Sequence, residues 1–275
     1  MRLGRVRVGQ PAASIRALPG RALPGRAGPT PAAVDRARTR DNLLTVAALA
    51  WLVLAAEAVG TAGHHQGAAG STNLLALAAA AAGWLLMLTA MMFPLLGTPI
   101  GHVRARSLAR RRARAVALFT AGYLAAWSAA AIPLTSLTVL VTALDTASEP
   151  VGGSAPSLLS MVVTVVLAAV WQVSPAKQRC LNRCHAHPSL AAFGPAADRD
   201  ALRFGLIHGG WCVGNCWAVM LATLAAPATA SLPASAAATA LLATERLVAP
   251  TPPAWRLRIP QLRTRSTTRA PFPAS

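Results

Sequence analysis

The stretch "LLALAAAAAGWLLMLTAMMFP", residues 74–94, runs for 21 residues without one charged side chain. As a helix it would be about 30 Å long, the thickness of a bilayer's hydrocarbon core. A water-soluble fold would have to bury that helix all the way round, whereas lipid accepts it as it is. The stretch covers the second of six apolar blocks, which lie at 42–60, 73–93, 115–133, 157–173, 204–226 and 234–250. Only 12% of the chain is charged and 54% is hydrophobic, where a soluble domain carries about a quarter of its residues as charge. The expected fold class is therefore all-α: a polytopic transmembrane helical bundle of about six spans. The last block is the weakest, being alanine-rich with Glu245 and Arg246 near one end. Residues 134–144 are apolar but short, caught between Pro133 and Asp145, and read as a re-entrant or surface-lying piece. Pro94 and Pro99 are placed to end the second helix.

A formal net charge of +18 suggests a nucleic-acid partner until its distribution is followed. Of the 26 basic residues 25 are arginine, and no zinc finger, stacking platform or recognition helix accompanies them. They alternate instead. Arg36, Arg38 and Arg40 precede the first block, and 61–72 has no Lys or Arg. Arg104 through Arg114 supply six more, and the next connection holds only Asp145 and Glu149. Lys177, Arg179, Arg183, Arg199 and Arg203 come before the fifth block, an uncharged connection follows it, and arginines return in the C-terminal tail. Such alternation is the positive-inside pattern. It predicts a multi-pass protein of the cell membrane with both termini cytoplasmic, His64 and His65 outside, membrane lipids as surroundings and no nucleic acid.

The flanks read as tails. Residues 1–40 carry nine arginines among Pro, Gly and Ala, bury little and are expected to be disordered, with no signal-peptide pattern. Residues 251–275 are expected to be a basic, disordered C-terminal tail, leaving 41–250 as the membrane domain.

All four cysteines fall in two pairs, Cys180/Cys184 in "CLNRC" and Cys212/Cys216 in "CVGNC". On a helix, a spacing of four residues stacks side chains on one face a turn apart. His208 extends the second pair by one more turn, giving the stripe His208–Cys212–Cys216. Thiolates and imidazoles suit a soft or borderline metal, so Cu(I) and Zn(II) are the natural candidates, with iron as a third. Cys180, Cys184, His208, Cys212 and Cys216 are thus the candidate metal ligands, with His185 and His187 in "CHAHP" as alternatives. Ligation would also give a buried imidazole the partner that an apolar span denies it. Against this stands simple packing: cysteine sits inertly between helices, and Gly205, Gly209, Gly210 and Gly214 permit close helix contact. Thiol redox chemistry is disfavoured because neither pair has the C-x-x-C spacing. Met87 and Met91 share a helical face and Met92 adjoins it, a pattern more typical of packing than of ligation. His102 stands alone near the arginine-rich connection. Glu245 is a candidate for pairing, with Arg246 or with a polar group of another helix.

The blocks "WLLMLTAMMFPLLGTP" (84–99), "FTAGYLAAW" (119–127), "WQVSPAKQRCLNRCHAHP" (171–188), "ALRFGLIHGGWCVGNCWAVML" (201–221) and "LLATERLVAP" (241–250) resemble the DUF2182 family of predicted metal-binding integral membrane proteins. The resemblance implies a polytopic membrane protein in which Cys180, Cys184, Cys212 and Cys216 correspond to the family's cysteine pairs. It departs from the family pattern at Arg246, where a lysine is expected after the glutamate. Another cysteine would also fit the family at Asn215.

Three functional classes follow. The first is a metal-binding membrane protein assisting copper or zinc handling. The second is a metal-ion transporter, and the third a structural or interaction subunit with packing cysteines. No nucleotide loop, nucleophile elbow or catalytic carboxylate pair points to an enzyme.

Overall fold

A computed structural model describes residues 30–61, 74–146 and 158–256. His64, His65 and most of the two tails lie outside the described residues. Among the described residues all regular structure is helical, as the apolar blocks required. The α-helices are α1 (Pro31–Thr61), α2 (Leu74–Met92), α3 (Gly97–Arg106) and α4 (Arg112–Thr146). They are followed by α5 (Leu158–Val173), α6 (Pro175–Cys184), α7 (Gly194–Leu224) and α8 (Ala228–Arg246). Short 3-10 turns at Phe93–Leu96 and Ala109–Arg111 join α2 to α3 and α3 to α4.

Among the described residues, four stretches are long and apolar enough to cross a membrane: Pro31–Val59, Leu77–Arg106, Ala109–Val141 and Gly194–Leu224. A fifth is gained if α5 and α6, bent by 66° at Ser174, count as one broken span. This replaces the count of about six. At 16 residues α5 is too short on its own, and α8, rich in alanine, serine and threonine, falls outside the set.

α2 ends at Met92, beside Pro94 as expected; the chain then tightens into one 3-10 turn and becomes α-helical again at Gly97, with Pro99 in the first turn of α3, where its missing N–H is harmless. Two boundaries differ from the sequence reading. Residues 134–144 are no separate piece, because α4 continues through Pro133 to Thr146. Beside that proline the Thr135 hydroxyl donates to the carbonyls of Ala131 and Ile132. Finally α1 starts at Pro31, inside the segment expected to be a tail, and Asp35 there pairs with Arg104 of α3 at 2.5 Å.

The core gathers around α4 and α7, whose contact is the most extensive in the molecule. Glycine makes it possible. A Cβ added at Gly205 would run into the Phe119 carbonyl, one at Gly122 into that of Leu202, and one at Gly209 would come within 2.7 Å of the Ala126 Cβ. Removing the side chains lets the two backbones touch, as small residues do between helices in lipid. Phe119, Tyr123 and Trp127 of α4 are fully buried there, and Met91, Met92 and Leu96 close the core from α2 and the turn that follows it. The methionines therefore act as packing residues, with Met87 partly buried beside them.

Candidate metal centre

The fifth apolar block is one helix that begins at Gly194, ten residues before the boundary read from sequence. Its continuity fixes the stripe: His208, Cys212 and Cys216 are all buried, 2%, 1% and 0% exposed. The connection before it, whose shape the sequence left open, contains α6. Ser174 caps that helix by accepting a hydrogen bond from the Lys177 N–H, and Pro175 occupies its first turn, a standard start signal. Cys180 and Cys184 therefore do share one side of a short helix, and α6 packs against α7.

The two pairs meet across this contact. The Cys180 Sγ lies where a Gly214 Cβ would be, 2.8 Å from that virtual atom, so Gly214 makes room for the thiol. Trp171 donates its indole N–H to the Gly214 carbonyl at 3.1 Å and meets Trp217 edge-on, clamping the end of α5 to the same turn of α7. Cys184 is 3% exposed, and the Arg246 guanidinium reaches both it and Cys212.

Cys212 is the electrostatic centre. Its sulfur accepts from the Tyr123 hydroxyl at 3.2 Å and from the Arg246 guanidinium at 3.5 Å. One neutral donor and one fixed cation favour a sulfur carrying negative charge. Cys216 is satisfied differently, donating its S–H to the Cys212 carbonyl at 2.8 Å. All four cysteines are free thiols. His208 sits among Phe119, Tyr123 and Phe204, and its Nε2 is buried with no hydrogen-bond partner. An orphaned imidazole nitrogen one turn from an electron-rich sulfur suits a soft cation. Yet among the described residues no three His, Cys, Asp or Glu side chains stand close enough together to hold a metal ion as they are. The donors are neighbours in the right chemical class rather than a closed cage.

Three neighbours escaped the sequence reading: Tyr123, Lys177 and Arg246. Lys177, counted above only as a positive-inside charge, is 2% exposed. Its ammonium donates to both Glu245 carboxylate oxygens, at 2.6 and 2.7 Å, and to the Gln172 side-chain oxygen at 2.5 Å. The Gln172 amide also donates to Glu245. Glu245 is therefore paired with a polar group of another helix, not with Arg246. The pair ties α8 to α6 and leaves the adjacent Arg246 facing the thiols. The signal was the chain's single lysine, three residues after a Ser-Pro helix start.

The candidate histidines divide. His185 has each ring nitrogen beside a carbonyl, Leu181 at 2.9 Å and Arg246 at 3.3 Å, and so serves as a strut between α6 and α8. His187 is exposed in the loop that follows, and its ring lies 4.9 Å from that of His102.

The fold and site define an all-helical protein of membrane-spanning character with free thiols in its interior. Residues 81–258, well over half of the chain, match the family model PpoB2, described as a copper chaperone, and the chain belongs to that family. No curated protein and no solved structure is similar enough to match. The family makes copper the indicated metal and lends no support to zinc or iron.

Proposed function

We propose that this chain is a multi-pass membrane copper chaperone that holds Cu(I) as cargo at the α6–α7–α8 junction and passes it on without catalysing a reaction. The observation that carries the reading is the Cys212 sulfur, buried between a tyrosine hydroxyl and an arginine, one turn from an imidazole nitrogen that has no partner. Cys212, Cys184 and His208 are the primary ligands, with Cys216 and Cys180 as the thiols that exchange with them. A cuprous ion with two thiolates carries net negative charge, and Arg246 supplies the opposite charge where lipid would otherwise forbid it. Incomplete closure suits a carrier, since an ion fully enclosed by the protein leaves slowly. The DUF2182 resemblance over the same segments and the alternating arginines support a cell-membrane location with the N-terminus cytoplasmic.

Packing is the second reading, favoured by the Cys216 hydrogen bond to its own helix and the tight seat of Cys180 against Gly214. Elemental analysis of reduced, detergent-extracted protein separates the two. The chaperone reading expects tightly held, sulfur-bound copper that is lost when all four cysteines become serine and reduced at least tenfold in affinity by Cys212→Ser. Copper at background level in folded wild-type protein would leave only packing. Flux of copper into sealed proteoliposomes would make the chain a transporter instead.

A further inference from the structure

His102 and His187 come from segments 85 residues apart in sequence, yet their rings meet at 4.9 Å, tilted by 55°. Neither ring is fully buried. His102, one turn before the end of the Leu77–Arg106 span, places Nε2 2.8 Å from the Pro188 carbonyl. If that nitrogen carries the proton, as a carbonyl partner requires, Nδ1 keeps its lone pair. His187 is exposed beside it in the loop that follows α6. An imidazole anchored to a carbonyl with its second nitrogen free is how proteins prepare a histidine ligand, and His102 has that anchor. Two imidazoles bound end to end on Cu(I) through bonds of about 2 Å set their centroids about 6 Å apart. The rings, now 4.9 Å apart, would have to part by about 1 Å to take the ion between them.

The surroundings give the pair a direction. His187 stands in the wall of two cavities. One, of about 380 Å³, runs past Phe204 and Trp211 to His208. The other, of about 750 Å³, contains His102 and reaches Arg246. Phe204 is the shared neighbour, its ring within 5.9 Å of His102, 6.5 Å of His187 and 5.7 Å of His208. Beyond His208 come Tyr123, at 6.2 Å, and then the Cys212 sulfur.

We propose that His102 and His187 form a second, peripheral Cu(I) position, at which the ion is exchanged with an outside donor or acceptor before or after it occupies His208 and the thiols. The inference rests on the copper-chaperone reading and adds to it where the cargo enters and leaves. The exchange involves no change of oxidation state: one imidazole–copper bond breaks as another forms at His208, and each thiol that then takes the ion gives up its proton to solvent or to the imidazole that has been released. Two neutral nitrogens hold Cu(I) more weakly than thiolates do, so the outer position fills first and empties inward.

Full-length protein in lipid nanodiscs, kept reduced with ascorbate, is titrated with Cu(I) buffered by a coloured chelator. With all four cysteines changed to serine, one Cu(I) equivalent is expected to remain, showing nitrogen-only ligation by X-ray absorption. Adding His102→Gln and His187→Gln removes it; glutamine in place of His102 still donates to the Pro188 carbonyl and His187 is exposed, so the fold has no reason to fail. With the cysteines intact, the same pair of glutamines slows loading of the thiols at least tenfold without lowering their final occupancy. Residual copper indifferent to the glutamines, or an unchanged loading rate, overturns the peripheral site and leaves the chaperone reading standing. Wild-type protein that takes up no copper overturns both. Copper held equally well with and without the cysteines sinks the thiol site alone.

Discussion

Along α7, the flank that meets α4 and the flank that meets α6 and α8 are held by opposite means. Against α4 the contact is glycine and aromatic carbon: Gly205 and Gly209 let the backbones touch, and Phe119 and Tyr123 fill what remains. Against α6 and α8 the contact is built around Lys177, Glu245, Gln172, Arg246 and four thiols. The first arrangement has no tolerance for added volume and little for motion. The second keeps polar groups that can change partners. A carrier needs both on one helix, a fixed frame on one side and exchangeable ligands on the other. Tyr123 joins them, since its ring belongs to the seam and its hydroxyl reaches Cys212.

The largest effect is expected at the buried ion pair. Glu245→Ala takes the carboxylate from an ammonium that is 2% exposed, and removing one partner of such a pair costs about 3–5 kcal/mol. Thermal unfolding followed by intrinsic tryptophan fluorescence in detergent should show it. Replacing both charges together, Lys177→Met with Glu245→Leu, should restore most of the stability, because no stranded charge remains. Copper affinity should nevertheless stay low in the double variant, since Arg246 loses the anchor beside it. Recovery of both properties together would mean that the polar flank only stabilises.

Gly205→Ala is next. Its methyl meets the Phe119 carbonyl, a backbone atom that cannot rotate away, and overpacking of this kind costs about 1–3 kcal/mol. The melting temperature should fall while copper stoichiometry per folded molecule is kept. A variant that melts normally but binds no copper would reverse the assignment of frame and site to the two flanks.

How much of this was legible follows the same division. Hydrophobic length announces a helical membrane bundle because lipid tests each segment alone, and the four-residue spacing placed His208, Cys212 and Cys216 on one buried stripe for the same local reason. The break at Pro133 was misread because context overrides a local signal: that proline lies inside α4. The polar flank was hardest to see. A lysine in a basic connection and a glutamate 68 residues later give no pairing signal until the 66° bend at Ser174 turns α6 back over α7. Arg246 was read as a charge near the end of the last block and a partner for Glu245, and only the Lys177 pairing leaves it turned toward the thiols.

The smallest expected effect tests where the two flanks meet the metal. Gly214→Ala would put a methyl 2.8 Å from the Cys180 sulfur, the mobile end of a short side chain rather than backbone. Rotating that thiol aside should cost about 1 kcal/mol, and Cys180→Ala should remove the cost, giving a coupled double-mutant cycle. Copper affinity supplies the second axis of the same cycle. If Cys180 exchanges with the inner ligands, Gly214→Ala weakens binding in the presence of the thiol and has no effect once it is gone. If Cys180 merely fills the gap at Gly214, stability moves alone and affinity is flat across all four proteins. The cycle thus separates a cysteine that packs from one that binds, at the one position where the glycine frame and the sulfur site occupy the same space.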